Sequence, residues 1–107
     1  MTLLRTLGEL VTSKYSLEFN AQALKEWKKL DSTVRLQFAK KLKERLTNPR
    51  VEADKLRDMP NCYKIKLRSA GYRLVYDVID EVLVVTVIAV GKRERGKAYG
   101  RASKRVS

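Results

Sequence analysis

Residues 82 to 90 read Val-Leu-Val-Val-Thr-Val-Ile-Ala-Val, apolar at every position but one and rich in β-branched side chains. Successive side chains on a strand point to opposite faces, so this run is apolar on both. It predicts a strand inside a sheet rather than at its edge. Two further strand-like runs precede it, at 62 to 68 and 72 to 79, after a turn at Met59-Pro60-Asn61. The links between the three are short, which implies an antiparallel meander.

The first half of the chain has a different period. Tyr15, Leu17 and Phe19 alternate with polar neighbours as a short half-buried strand, ended by Asn20, a residue suited to cap a helix. Leu24, Trp27 and Leu30 then fall at helical spacing. After a break at Asp31-Ser32, Val34, Phe38, Leu42 and Leu46 recur every four residues until Asn48-Pro49 stops the second helix. The expected fold is therefore α+β: an antiparallel four-stranded sheet with an N-terminal helical hairpin packed on one face. The tail after Tyr99, through Arg101 and Lys104-Arg105, holds little apolar surface and either forms a short C-terminal helix or stays mobile.

A chain of 107 residues suits one core and one domain. Its single cysteine, Cys62, excludes an intrachain disulfide and reads as a small apolar filler; without any histidine the chain offers no zinc ligand set. No cofactor and no metal are expected. No apolar run approaches the roughly 20 residues of a membrane span. The expected location is the cytoplasm, with no membrane partner. Residues 15–107 read as a single domain. Residues 1–14, with Leu3, Leu4, Leu7, Leu10 and Val11, are either an added amphipathic helical turn or the product of a start codon set too far upstream.

The net charge is +12, and from Lys64 onward 11 basic residues stand against 4 acidic. Such a balance marks either a polyanion-binding surface, nucleic acid foremost, or a solvated face that keeps the protein monodisperse. The stretch Tyr63-Lys64-Ile65-Lys66-Leu67-Arg68 alternates apolar and cationic residues, which gathers Lys64, Lys66 and Arg68 on one strand face. With a loop at 69 to 72, Leu67 would face Leu74, Ile65 would face Tyr76 and Tyr63 would face Val78. Arg73 then joins the cationic face and Asp77 stands opposite Lys64. Without histidine, proton transfer on a bound phosphate would have to use lysine, arginine, tyrosine or a carboxylate.

Three runs resemble the RelE family of bacterial toxins: ALKEWKKLDSTVR at 23 to 35, NPRVEADKLRDMPNCYKIKLRSAGYRLVY at 48 to 76 and VGKRERGKAY at 90 to 99. The resemblance spans residues 15 to about 105. It implies a RelE-like, microbial-RNase-type fold and ribosome-dependent cleavage of messenger RNA in the A site. By that resemblance the catalytic residues are Lys64, Lys66, Arg73, Arg93 and Tyr99, and Arg57 is a secondary contact. The reaction it implies is attack of a ribose 2′-hydroxyl on the adjacent phosphate, giving a 2′,3′-cyclic phosphate and a 5′-hydroxyl. Arg68, Arg95, Lys97 and Arg101 are expected to attract RNA without reading its sequence. The implied partners are the 70S ribosome and messenger RNA, a RelB-like antitoxin with an acidic segment that wraps the toxin, and operator DNA through that antitoxin complex. Two other readings stand beside it: a gyrase-inhibiting toxin of related fold, and a noncatalytic basic RNA-binding protein.

Overall fold

A computed structural model describes residues 14–92 together with residues 102, 104 and 105. Strands β1 (Ser16–Phe19), β2 (Lys55–Leu56), β3 (Met59–Leu67), β4 (Tyr72–Ile79) and β5 (Val84–Lys92) form one sheet in the order β1-β5-β4-β3-β2. Helices α1 (Ala21–Lys28) and α2 (Ser32–Thr47) follow β1. The capping residues act as their chemistry dictates: Asn20 Oδ1 accepts from the N–H groups of Gln22 and Ala23, and Asp31 Oδ2 accepts from Thr33.

The four-stranded antiparallel sheet is corrected in two respects. β1 runs parallel to β5, with Ser16 opposite Val84 and Phe19 opposite Val87. No hairpin ties β1 to its neighbour, so its direction is set by packing rather than by a turn. The second correction is β2, where Lys55 stands opposite Tyr63 and Leu56 opposite Met59. Two residues are too few to carry an alternating pattern. The remaining strands form the expected meander, and β5 lies in the sheet interior between β1 and β4.

β5 begins two residues later than the apolar run does. Asp80–Val82 form a 3-10 turn closed by Leu83 at φ 54°, which leaves Val82 64% and Leu83 41% exposed. Within β5 the pairing shifts from Val75–Ala89 to Tyr76–Val87, so Ile88 is an extra residue. The bulge lets Val85, Val87 and Val90 face the helices while Ile88 and Ala89 face the other side.

The main core lies between the helices and the sheet. Phe38, Leu42, Ala23, Leu30 and Val34 meet Tyr63, Ile65, Leu67, Leu74, Tyr76 and Val78 there. Ala23 fills the position on α1 that the spacing assigned to Leu24. Trp27 packs between Phe19, at 5.2 Å between ring centroids, and Phe38, at 6.4 Å. Each fully buried side chain such as Phe38 contributes about 2–3 kcal/mol. On the opposite face Leu56, Cys62, Val75, Ile88, Ala89 and Ala102 form a second, smaller cluster.

Ala102, Lys104 and Arg105 have helical backbone. The rest of the expected C-terminal helix, and residues 1–13 of the expected N-terminal extension, lie outside the described residues. Arg105 is tied back to α1: it donates to both carboxylate oxygens of Glu26 at 3.1 Å and to the Ile88 carbonyl at 2.9 Å. Glu26 also accepts from the Val90 N–H at 3.1 Å. These bonds occupy the edge of β5 beyond the point where β1 stops. Among the described residues no helix is long and apolar enough to cross a membrane.

Candidate nucleic-acid interface

Tyr63, Ile65 and Leu67 point into the helix-side core, so the intervening Lys64 and Lys66 of β3 point away from the helices. Arg73 on β4 stands directly opposite Lys66, and Val75 stands opposite Lys64. Lys64, Lys66 and Arg73 thus share the face that the alternation assigned to them. Directly opposed residues on antiparallel strands lie roughly 5 Å apart, close enough for two cations to take two oxygens of one phosphate.

The expected register is corrected by two residues. Leu67 pairs with Tyr72 and Ile65 with Leu74, and the turn is 68–71. Gly71, at φ +72°, closes it by donating its N–H to the Leu67 carbonyl at 2.8 Å, a left-handed conformation that glycine takes without steric cost. An even shift keeps every side chain on its face, which is why the cationic cluster survives. Two consequences do change. Arg68 leaves the strand for the exposed turn, and Asp77 stands opposite Cys62 rather than Lys64.

Cys62 belongs to the second apolar cluster, and its thiol donates to Asp77 Oδ1 at 3.7 Å. Burial, with Asp77 beside it, pushes the thiol up to about 12. Burial also raises the Asp77 carboxyl, against hydrogen bonds from Cys62 and the Val78 N–H.

Two arginines that sequence reasoning did not single out support the strands from the helix side. Arg45 Nη1 donates to the Tyr76 hydroxyl at 2.8 Å and to the Lys64 carbonyl at 3.3 Å, while Nη2 pairs with Asp54 at 2.7 Å. Tyr76 in turn donates to the Pro49 carbonyl at 2.6 Å. Its phenol is raised by burial, against the opposing effect of Arg45. Arg50 binds Asp80 at 2.7 Å and the Tyr63 hydroxyl at 3.1 Å, and Tyr15 donates to the second oxygen of Asp80 at 2.6 Å. Tyr15 and Arg50 hold the Asp80 carboxyl below its ordinary value, and the same bond to Asp80 raises the Tyr15 phenol. A signal for Arg45 existed, since it falls three residues after Leu42 on the apolar stripe of α2.

Arg57 is exposed in the turn between β2 and β3, at the far end of β3 from Lys66, about 23 Å along the strand. Arg93, Arg95, Lys97, Tyr99 and Arg101 lie outside the described residues. β5 ends at Lys92, opposite Tyr72, and Ala102 is buried on the face that carries Lys64, Lys66 and Arg73. Among the described residues no group of three His, Cys, Asp or Glu side chains is arranged to hold a metal ion.

Two helices on one face of a five-stranded mixed sheet, with paired cations on the other, define a RelE-like α+β protein. A model of the ParE toxin of the type II toxin-antitoxin system, parDE, matches residues 17–96. The mRNA interferase toxin RelE of Escherichia coli K12 is 66% identical over 92 residues, 86% of this chain and 97% of that protein. The free-state structure of a double arginine-to-alanine mutant of E. coli toxin RelE superposes with a TM-score of 0.82 at 60% identity, over 90% of this chain and all of that one. The toxin in the intact E. coli RelBE toxin-antitoxin complex superposes at 0.73 with 69% identity, over 76% of this chain and 99% of that one. The chain belongs to the RelE family of the RelE/ParE toxin superfamily.

Proposed function

We propose that this protein is the toxin of a type II toxin-antitoxin pair and an mRNA interferase that cuts messenger RNA in the ribosomal A site. The carrying observation is the 66% identity to a protein named an mRNA interferase toxin, over nearly the whole length of both. The pairing of Lys66 with Arg73 on the sheet face away from the helices supports it, because two cations so placed can take two oxygens of one phosphate. The proposed domain is 15–107. The proposed location is the cytoplasm, where ribosomes are, and the proposed partner is a RelB-like antitoxin that brings the pair to operator DNA.

In this mechanism the 2′-oxygen forms a bond to phosphorus as the bond from phosphorus to the 5′-oxygen breaks. Three tasks arise: removal of the 2′ proton, neutralisation of the phosphorane, and protonation of the leaving oxygen. Lys66 takes the first role. It stands opposite Arg73 and two residues from Lys64 on the same face, which brings its amine to the phosphate that those cations would hold. Arg73, always charged, holds a phosphoryl oxygen together with Lys64. Arg93 serves the leaving oxygen, and Tyr99 stacks on a base or steers the 2′-hydroxyl.

Primer extension on messenger RNA with and without ribosomes tests the reading. Cuts confined to the A-site codon and present only with ribosomes are expected; equal cutting of naked RNA, or none, would overturn it. Lys66→Ala tests the base: single-turnover cleavage at the wild-type rate would remove Lys66 from that role. The match to a ParE toxin model gives the gyrase-inhibiting alternative its weight. Inhibition of gyrase supercoiling without RNA cleavage would establish that alternative instead.

A further inference from the structure

β2 covers β3 only at Met59 and Tyr63, so positions 64–67 of β3 form an open sheet edge facing α2. Two adjoining depressions lie along it. One, of about 370 Å³, lies where β2 stops, against Arg45 and Asp54. The other, of about 720 Å³, lies between α2 and the end of β3, against Lys40 and Glu44. Both are lined by Lys41, Lys66 and Arg68, which makes them one trough. Along the strand from Lys64 to Leu67 it runs about 10 Å before the turn, where Arg68 and Ser69 continue its wall.

Its charge is strongly one-sided. Lys40, Lys41 and Arg68 are exposed, and none of them enters an ion pair among the described residues. Asp54 is already engaged by Arg45 at 2.7 Å, which leaves Glu44 as the other carboxylate lining the trough among the described residues. Lys66 connects the two regions, since it lines the trough and also stands opposite Arg73 at the proposed reaction site.

We infer that the messenger RNA strand continues from the sheet face over the open edge of β3 into this trough, where Lys40, Lys41 and Arg68 hold phosphates that flank the scissile one. This rests on the RNA-cleaving function proposed above and extends its binding site to a helix that contributes no reacting group. Continuity with Lys66 favours the substrate strand over an unrelated polyanion. The trough supplies affinity without base recognition, because contacts to phosphates position a strand and carry no sequence information.

The test is single-turnover cleavage on programmed ribosomes by Lys40→Gln/Lys41→Gln, two exposed helix positions whose replacement leaves the core intact. The ribosome concentration for half-maximal rate should rise roughly tenfold near 0.1 M salt, and its log-log salt dependence should flatten by about 1.4, at about 0.7 per single-strand phosphate contact. The maximal rate should change less than about twofold. Lys28→Gln/Lys29→Gln removes equal charge at the end of α1 and should have little effect. Truncating the messenger on the correct side of the cut should erase the difference between variant and wild type. Equal weakening by both pairs would reduce the effect to net charge and overturn the inference. So would a difference that survives truncation on either side, which assigns the trough to ribosomal RNA, or a loss confined to antitoxin binding. Absence of cleavage by the wild-type chain would instead overturn the functional proposal, and this inference with it.

Discussion

Replacing Arg45 by methionine should be among the most damaging single changes outside the apolar core. The side chain is 15% exposed and its partner Asp54 29%, so the pair is mostly but not fully shielded from water. Two hydrogen bonds from a charged donor disappear, to the Tyr76 hydroxyl and the Lys64 carbonyl, at about 1 kcal/mol each. Asp54 loses its counter-charge at a further cost of about 1 kcal/mol, less than the penalty for a fully buried pair because water reaches it. Methionine keeps the aliphatic packing of the stem. The expected loss is therefore about 3 kcal/mol, or about 12–20 °C in Tm for a domain of this size. Urea denaturation of wild type, Arg45→Met, Tyr76→Phe and the double variant measures both the loss and its sharing. The coupling between Arg45 and Tyr76 should be about 1 kcal/mol. A loss below about 1 kcal/mol, or strict additivity of the two changes, would refute the view that this network holds β3 against α2.

Asp80→Asn should flatten the acid limb of stability: a carboxyl held below its unfolded pKa stabilises the protein above that pKa and loses its effect as pH falls through the folded value, so the wild type should lose stability more steeply below about pH 4. Asp77 has the opposite sign. Its raised carboxyl contributes at low pH and that contribution is lost as pH rises through the folded value, so Asp77→Asn should raise Tm at pH 7 while the gain shrinks toward pH 3. Gly71→Ala should cost about 1 kcal/mol through backbone strain alone, since a Cβ at φ +72° meets no atom within 4 Å, and chemical denaturation would read it directly.

What the sequence makes legible follows from period and from polarity. The stripe Val34, Phe38, Leu42 lies on one side of a helix and can only face a core; the caps Asn20 and Asp31 mark where each helix starts. Alternation at 63 to 68 places Lys64 and Lys66 on the face away from that core even though the register is shifted, because faces depend only on whether the shift is odd or even. Pairing partners are less legible. Whether Leu67 meets Leu74 or Tyr72 depends on how four turn residues close, and both registers set apolar against apolar. The alternation of Tyr15, Leu17 and Phe19 marks β1 as a strand, but its parallel alignment with β5 arises from contacts between residues nearly seventy positions apart. Arg45 and Arg50 were missed for a related reason. An arginine whose partners are a distant tyrosine, a carboxylate and a carbonyl looks in sequence like any surface charge.

That long-range pairing sets a timetable for synthesis. β1 leaves the ribosome first, yet its hydrogen-bonding partner, residues 84–87, is translated 68 positions later. Contacts so far apart in the chain form only after a large loop has closed. The nascent protein therefore cannot complete its sheet before residues 84–92 have emerged. Arg73 gains its β5 neighbour Gly91 only when that strand emerges beside β4, so a chain whose synthesis has not passed residue 92 lacks the finished surface.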